Sequence, residues 1–256
     1  MSKNLSISQN FLTSRKTIDR LISKTTLSKS DTVLEIGAGK GHITKALSEK
    51  CRSVISYELD QCLYTKLKPQ LKDNVKLYHA DFLKCKLPKQ QYKVFSNIPF
   101  SITSEIIRKL TTSDNLPTAI WLVMEKGAAK RFAGFPAENL NSLLLKPFYD
   151  SKIIWHFNRE DFHPSPRVDT VLLQLKLKRP FDIAPDQRSA FSTFISHSIK
   201  HGINGSHALL TKKQVSTALK LVSLPQIPIS GDISYIQWLC LFRCWQKYGK
   251  STGGIT

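Results

Sequence analysis

The residues of this sequence best suited to chemistry are Asn97, Ile98, Pro99 and Phe100, which follow one another directly. Proline fixes its own φ angle and biases the preceding residue toward extended backbone, so the carbonyl groups before it point in nearly fixed directions. The Asn97 amide and the Ile98 carbonyl can therefore hydrogen-bond the polar edge of a flat molecule while the Phe100 ring covers its face. An ordinary asparagine–proline turn is the alternative interpretation of the same residues.

This stretch follows the apolar run Lys93-Val94-Phe95, which predicts the end of a strand, and precedes a predicted helix from Ser104 to Leu110. Three further predicted strands also end in residues that could bind a ligand. They are Thr32–Ile36 before Gly37, Ser53–Tyr57 before Glu58, and Val75–Tyr78 before Asp81. Because ligands of parallel sheets bind outside the carboxyl ends of the strands, we expect these residues to converge at one edge.

The three glycines Gly37, Gly39 and Gly41 precede a predicted helix through Ile43 to Leu47. Glycine lets the backbone turn sharply and approach a ligand closely. The dinucleotide fingerprint needs a third glycine three positions after the second, and position 42 is His, so this loop is poorly suited to pyrophosphate. A plain tight turn is the alternative.

Two strand-end carboxylates have the positions expected of a nucleoside site. Glu58 stands about twenty residues after the glycines, where α/β nucleotide sites place an acid on the ribose hydroxyls. Asp60 competes for this role, although Glu58 is favoured because it directly follows the strand. Asp81 is placed to accept a hydrogen bond from an adenine amino group. A solvated carboxylate is the alternative for Glu58.

The charge of the chain indicates a polyanionic partner. The 256 residues include 38 Lys and Arg but 19 Asp and Glu, a net charge of +19. No apolar run reaches membrane-spanning length and no signal-peptide pattern is present, so we expect nucleic acid as the partner, no membrane, and a cytoplasmic protein. The five cysteines form no C-x-x-C pair, which predicts reduced thiols and no metal site.

Two groups of residues are candidates for RNA contact. Lys130 and Arg131 lie close together if the segment after Glu125 is helical, and in so basic a chain they are candidates for phosphate contact. A proline-stiffened loop at residues 161–169 carries Phe162 and Arg167, an aromatic ring and a cation suited to a base and a phosphate. The alternatives are a solvated helix face and a structural crossover loop in which Phe162 is buried.

Two domains are predicted, residues 1–178 and residues 179–256. The first is an α/β domain that ends in a pair of closing strands, Lys152–Phe157 and Val171–Leu177, and its segment Leu5–Leu12 is expected to fold back on it. The second is small and helical. Its predicted helices are Gln187–Ile199, Lys212–Val222 and Ser234–Tyr248.

Six segments in this order resemble the rRNA adenine N6-dimethyltransferases, and within them the Erm branch. They are Ser8–Leu12, Glu35–Thr44, Glu58–Asp60, Ala80–Phe82, Asn97–Phe100 and Phe162–Val168. Lys40-Gly41-His42 and Asn97-Ile98 are similar to the Erm branch, whereas small-subunit rRNA relatives more often show Pro-Gly-Leu-Gly and Asn-Leu-Pro-Tyr. Phe100 departs from the family, since most members carry tyrosine there; stacking is retained and a role for a phenolic hydroxyl is excluded.

The resemblance implies a Rossmann-like class I methyltransferase fold: a mostly parallel seven-stranded sheet with helices on both faces, plus a small C-terminal helical domain. It implies S-adenosylmethionine as methyl donor, bound by residues 1–178. It also implies mono- and dimethylation of one adenosine in 23S rRNA, before or during large-subunit assembly, by a monomer, with resistance to macrolides, lincosamides and streptogramin B. The expected cofactor contacts are Asn10, Leu12, Gly37, Gly39, Glu58, Asp81 and Asn97, and the expected catalytic residues are Asn97, Ile98, Pro99 and Phe100.

Three other functions stay open at this point. One is methylation of small-subunit rRNA, and another is RNA binding without catalysis on the same fold. DNA adenine methylation is a third, because related turns with two apolar neighbours serve that chemistry too.

Overall fold

The computed structural model describes residues 10–229 and 231–249, and this part of the chain forms two compact units. One unit holds the described part of Met1–Ala129 together with Asp150–Leu177. The other holds Lys130–Tyr149 together with the described part of Lys178–Thr256.

Nine strands occur in the described residues, and we number them along the chain. They are β1 Phe11–Leu12, β2 Thr32–Ile36, β3 Ser53–Glu58, β4 Val75–His79, β5 Lys93–Asn97, β6 Ala119–Glu125, β7 Tyr149–His156, β8 Phe162–His163 and β9 Thr170–Leu177. Seven of these described strands form one sheet in the order β4-β3-β2-β5-β6-β9-β7, and β1 and β8 form a separate ribbon. The pairs β2–β3, β3–β4, β2–β5 and β5–β6 are parallel, and β6–β9 is antiparallel.

The central strands are apolar because both faces of the sheet are covered. In β6, the side chains from Ala119 to Met124 are all buried. A cluster of buried side chains from β2, β3, β5 and β6 continues into the helices that precede and follow β2.

The sheet reverses its direction of growth between β2 and β5. The chain passes from β2 outward to β3 and β4, and then returns to place β5 on the other side of β2. At this point the Ser96 hydroxyl donates to the Ile36 carbonyl (2.5 Å) and accepts from the Ile36 N–H (3.2 Å). The serine side chain takes the place of strand-to-strand bonds where the two strands separate. Such a reversal opens the crevice in which α/β proteins bind ligands.

The described residues also contain nine α-helices. They are α1 Arg15–Ser23, α2 His42–Lys50, α3 Gln61–Leu67, α4 Thr103–Thr111, α5 Lys126–Ala133, α6 Leu140–Leu145, α7 Arg188–His201, α8 Lys212–Leu221 and α9 Tyr235–Tyr248. Short 3-10 helices occur at Lys68–Gln70, Phe82–Lys84, Phe100–Ile102, Arg159–Asp161 and Pro185–Gln187. Most of the α-helices begin after a capping side chain, such as Ser14 before α1 and Thr211 before α8.

The second unit is helical and is centred on aromatic side chains. Phe194 is fully buried, and its ring stacks on Trp245 with a centroid distance of 5.4 Å. Residues 130–149 belong to this unit, although the sequence suggested a first domain that ran without interruption to residue 178. They join it because α6 packs against α7.

No helix within residues 10–229 and 231–249 combines the length and apolar character that crossing a membrane requires.

Candidate active site

A cleft in the first unit opens where β2 and β5 separate, and it encloses about 840 Å³ of space, part of it open to solvent. The strand-end residues predicted to converge lie in its walls. The lining residues are Asn10, Phe11, Ile36, Gly37, Gly39, Tyr57, Glu58, Leu59, Ala80, Asp81, Phe82, Asn97, Ile98, Pro99, Phe100 and Ile102.

The glycine loop forms one wall, and two of its glycines have distinct steric roles. Gly37 has a φ of +77°, and a Cβ added there would meet no atom within 4 Å, so the loop leaves space free beside the cleft. Gly39 has a φ of +56°, and an added Cβ would lie 2.7 Å from Cε1 of Phe11. Glycine at position 39 therefore lets the Phe11 ring pack directly on the loop.

Glu58 braces the glycine loop against the start of α3. Its side chain is buried; Oε2 accepts the Gly39 N–H (2.7 Å) and Oε1 accepts the Asp60 N–H (2.8 Å). Asp60 is directed elsewhere, because its Oδ1 accepts the Leu63 N–H (2.9 Å) and caps α3. The structure thus places Glu58, and not Asp60, in the wall of the cleft.

Asp81 lies in a second wall of the cleft, which also contains Phe82. Its Oδ1 accepts the Leu83 N–H (2.9 Å) and so caps the 3-10 helix Phe82–Lys84. Phe82 and Tyr57 bring their rings to a centroid distance of 5.7 Å and give this part of the cleft an apolar surface. A flat heterocycle can lie against such a surface with its polar edge toward a carboxylate.

Lys109, on α4, anchors the segment that follows Asp81. Its ammonium group donates to the carbonyl groups of Phe82 (2.8 Å), Leu83 (2.8 Å) and Cys85 (2.5 Å). Burial lowers the pKa of this ammonium group. Sequence analysis did not identify Lys109, because the pattern of a helix does not show which backbone groups a lysine side chain will reach.

The Asn97 stretch is held in place by contacts on both sides. The side-chain Nδ2 of Asn97 donates to the Asn10 carbonyl (2.7 Å), which turns Oδ1 the opposite way as an acceptor. The Ile98 N–H donates to the Val123 carbonyl (3.3 Å), and Pro99, with φ −62° and ψ 122°, leads into the 3-10 helix Phe100–Ile102. The acceptor groups of this stretch therefore have defined directions.

A buried carboxyl group lies next to the glycine loop. Oε2 of Glu35 accepts hydrogen bonds from the Thr44 hydroxyl (2.6 Å) and the Ser56 hydroxyl (2.7 Å), and these bonds join β2, α2 and β3. Burial, with a smaller contribution from the nearby Glu58 charge, raises the pKa of Glu35 to about 8. Glu35 is thus neutral at neutral pH.

The ribbon of β1 and β8 carries Asn10 and Phe11 to the cleft. Phe11 pairs with His163 and Leu12 with Phe162, and the Thr17 hydroxyl donates to Oδ1 of Asp161 (3.1 Å). The sequence predicts that residues 5–12 fold back on the domain. The part of this segment before position 10 lies outside the described residues.

Two predicted contacts do not lie where the sequence suggested. The Leu12 side chain is 2% exposed within the hydrophobic core, and its neighbour Phe11 lines the cleft instead. Phe162 is 3% exposed and packs edge-on against Phe157 at a centroid distance of 5.2 Å, so it cannot stack on an RNA base without leaving the core. The crossover-loop interpretation of this segment is the correct one for Phe162.

The remaining predicted RNA contacts fall in different units. Arg167 is exposed in the first unit, whereas Lys130 and Arg131 lie on the part of α5 that belongs to the second. In the described part of the chain, no three His, Cys, Asp or Glu side chains are arranged to hold a metal ion.

A family model described as ribosomal RNA adenine dimethylase matches residues 1–217 of the chain. The chain belongs to this family. An rRNA adenine N-6-methyltransferase of Limosilactobacillus reuteri is 33% identical over 252 residues, which cover 97% of this chain and 99% of the relative. One of Escherichia coli is 34% identical over 249 residues, covering 96% and 97%.

Solved structures agree with this assignment. The crystal structure of 23S rRNA methyltransferase ErmE superposes with a TM-score of 0.81 and 25% identity, covering 93% of this chain and all of that one. A dimethyladenosine transferase from Plasmodium falciparum shares the fold, with a TM-score of 0.69 and 21% identity over 93% of this chain and 98% of that one. The predicted resemblance, fold class and enzyme class are confirmed: this protein is an rRNA adenine N6-methyltransferase with S-adenosylmethionine as methyl donor.

The cleft fits this donor. The space beside Gly37 admits a ligand against the backbone, Glu58 offers a buried carboxylate, and Tyr57 and Phe82 provide an apolar wall beside Asp81. These are the groups that a ribose and an adenine ring require.

Proposed function

We propose that this enzyme adds one or two methyl groups to N6 of a specific adenosine in 23S rRNA. The likeness to ErmE over the whole of that chain supports the large-subunit substrate. We further propose that it acts as a monomer before or during large-subunit assembly, and that the modification confers resistance to macrolides, lincosamides and streptogramin B. The orientation of the Asn97 amide by the Asn10 carbonyl at the cleft is the observation on which the catalytic part rests.

Within this proposal, the donor is held by the walls of the first unit. Glu58 receives the ribose hydroxyls, since each carboxylate oxygen that accepts one backbone N–H retains a second lone pair. Asp81 accepts from the adenine amino group beside the Phe82 ring. Gly37 and Gly39 allow close approach of the backbone. When bound, S-adenosylmethionine supplies an electrophilic methyl group on a sulfonium, which is a good leaving group.

Catalysis then depends on orienting the target amine. The lone pair of the adenine N6 is delocalised into the ring, which makes this nitrogen a poor nucleophile. If Oδ1 of Asn97 and the Ile98 carbonyl accept its two N–H bonds, the nitrogen is drawn toward tetrahedral geometry and its lone pair becomes available. Positioning of this kind accounts for most of the rate and requires no strong base.

Phe100 stabilises the target base outside its stack. It is partly exposed in the cleft wall directly after Pro99, so its ring can lie against an adenine. Extruding a base from a duplex costs a few kcal/mol, and stacking on an aromatic side chain returns about 1–3 kcal/mol. Because the two are comparable, an unpaired adenosine in a loop is the favoured target. Lys130, Arg131 and Arg167 serve as phosphate contacts for the surrounding RNA.

Small-subunit rRNA is the alternative substrate, because the family description names ribosomal RNA without a subunit. The deciding experiment incubates the purified protein with radiolabelled donor and with 23S or 16S rRNA separately, followed by primer extension to locate the modified base. We expect incorporation into 23S rRNA at one adenosine. Incorporation into 16S rRNA alone would overturn the proposed substrate.

Two variants test the catalytic assignment in the same assay. Asn97→Ala removes the oriented acceptor, and we expect transfer to fall by about 100-fold or more, since misplaced reacting groups cost rates of this order. Asn204→Ala, at an exposed asparagine of the second unit, is the matched control and should retain wild-type activity. Equal activity of the two variants would refute the role of Asn97.

A further inference from the structure

An aromatic side chain projects into solvent just after α5. Phe135 is 60% exposed, whereas Phe132, the preceding aromatic residue in the chain, is buried. No role in the reaction described above involves Phe135. Isolated exposed hydrophobic residues are common on protein surfaces, so the argument depends on how this ring is held and what surrounds it.

The backbone that carries Phe135 is fixed by a helix-terminating motif. The Phe135 N–H donates to the Lys130 carbonyl (3.0 Å), and the Gly134 N–H donates to the Arg131 carbonyl (3.3 Å). Gly134 has a φ of +76°, as the left-handed residue of a Schellman motif requires. The Asn139 side chain also donates to the Arg131 carbonyl (2.8 Å). These hydrogen bonds therefore fix the backbone that carries the Phe135 ring.

In a Schellman motif, a hydrophobic side chain at the Phe135 position usually packs back on the residue at the Lys130 position. Here that partner is a lysine, whose ammonium lies 5.1 Å from the centroid of the Phe135 ring. The motif thus combines an exposed ring with a cation in place of a buried apolar contact. Such combinations bind single-stranded nucleic acid, because bases stack on the ring and the cations pair with phosphate.

The charges around the ring are favourable to a polyanion. Arg131, which follows Lys130 in the chain, is exposed. Glu138 follows this loop in the chain, and it is mostly buried and is paired with the Lys146 ammonium and the Ser142 hydroxyl. Its charge is compensated within the protein, and the charged residues of the segment 130–137 are Lys130 and Arg131, both cationic.

We propose that Phe135 is a stacking site for an unpaired base of the RNA substrate, with Lys130 and Arg131 on the adjacent phosphates. The inference rests on the proposed RNA substrate and extends it to a contact outside the catalytic cleft. A protein partner for the same ring is less favoured, because the surrounding surface is cationic and the chain carries a net charge of +19.

The test measures equilibrium binding of a short fluorescein-labelled single-stranded RNA by fluorescence anisotropy, between about 50 and 200 mM salt. The full-length variants are Phe135→Ala, Phe135→Tyr and Tyr248→Ala. Tyr248 is a matched control, because it is also 60% exposed and also has a lysine ammonium, that of Lys247, 5.2 Å from its ring centroid. Binding of S-adenosylhomocysteine verifies that each variant is folded.

We expect Phe135→Ala to raise the Kd for RNA by roughly 5- to 150-fold, the range seen when a stacking ring is removed. The slope of log Kd against log salt should stay as in the wild type, because stacking releases no counterions. Phe135→Tyr should restore binding, and Tyr248→Ala should bind like the wild type. These outcomes separate stacking from a general loss of structure.

The inference is overturned by a wild-type Kd for Phe135→Ala, by an equal loss in Tyr248→Ala, or by a loss in Phe135→Tyr as large as in Phe135→Ala. A variant that has also lost binding of S-adenosylhomocysteine counts against it, because the ring would then be structural. The proposed 23S substrate fails separately, through the methylation assay, whose outcome does not enter this binding measurement. If the wild type does not bind the single-stranded RNA at all, the inference is wrong.

Discussion

Replacing Glu35 with glutamine should make the protein more stable at alkaline pH and leave it little changed in acid. Oε2 of Glu35 accepts hydrogen bonds from the Thr44 and Ser56 hydroxyls, and the amide oxygen of glutamine can accept both of them. The substitution therefore removes the titration of the group while it preserves the contacts that join β2, α2 and β3.

The direction of this change in stability follows from the pKa of Glu35 in the folded protein and in the unfolded chain. The carboxyl group has a pKa of about 8 in the folded protein and an ordinary value of 4.5. Below pH 4.5 the carboxyl group is protonated in both states and contributes no pH dependence. Between these values the unfolded chain ionises while the folded protein holds a neutral carboxyl group, so the wild type loses stability as the pH rises.

The same two pKa values set an upper limit on the loss of stability. At 1.36 kcal/mol per pKa unit, the full difference corresponds to at most about 5 kcal/mol, reached above pH 8. Glutamine does not ionise in either state, so the variant escapes this loss. A few kcal/mol is a large fraction of the stability of an ordinary domain.

Urea denaturation followed by circular dichroism, at about pH 5 and about pH 8.5, measures the effect as the difference between the variant and the wild type. Glu105→Gln is the control, since Glu105 is exposed on α4. We expect the difference for Glu35→Gln to grow by several kcal/mol between the two pH values and that for Glu105→Gln to stay small. A Glu35→Gln difference that is equal at both pH values would refute the buried, neutral carboxyl group.

Three further predictions concern the cleft. Gly39→Ala should lower the free energy of unfolding by about 1–2 kcal/mol, because φ is +56° and the new Cβ would lie 2.7 Å from the Phe11 ring; an unchanged urea midpoint would contradict this. Lys109→Gln should weaken binding of S-adenosylhomocysteine in calorimetry, because three carbonyl groups lose a shared donor; an unaltered Kd would show that the segment after Asp81 needs no anchor. Phe100→Ala should lower kcat/KM for rRNA by roughly 5- to 150-fold and Phe100→Tyr should not; equal activity of both variants would remove the stacking role.

The convergence of the strand-end residues could be predicted from the sequence, because it follows from one rule of parallel sheets. β2 occupies the predicted range Thr32–Ile36, and Glu58, Asp81 and Asn97 each follow or end a strand as expected. Apolar runs of this length identify buried strands without knowledge of their neighbours, and the edge where ligands bind is then fixed by chain direction.

The orientation of aromatic residues in loops could not be predicted in this way. Phe11 lines the cleft, Phe162 is buried and Phe135 is exposed, yet all three stand in short, mixed segments without a clear period. Their environments depend on pairing between distant parts of the chain, such as β1 with β8. The membership of residues 130–149 in the second unit has the same cause, since the pattern of a helix does not show what the helix packs against.

The ribbon of β1 and β8 also bears on how the cleft opens. Each of its strands has two residues, so few hydrogen bonds hold closed a loop of well over a hundred residues. Leu12 and Phe162 anchor the ribbon in the hydrophobic core, but its backbone pairs over two residues in each strand, and we expect its amide protons to exchange before those of the seven-stranded sheet. Because Asn10 precedes the ribbon and orients the Asn97 amide, we expect opening of the ribbon to release the acceptor proposed for the target amine. Opening of the ribbon and loss of the proposed acceptor geometry would then be a single event, so we expect the enzyme to be inactive while its ribbon is open.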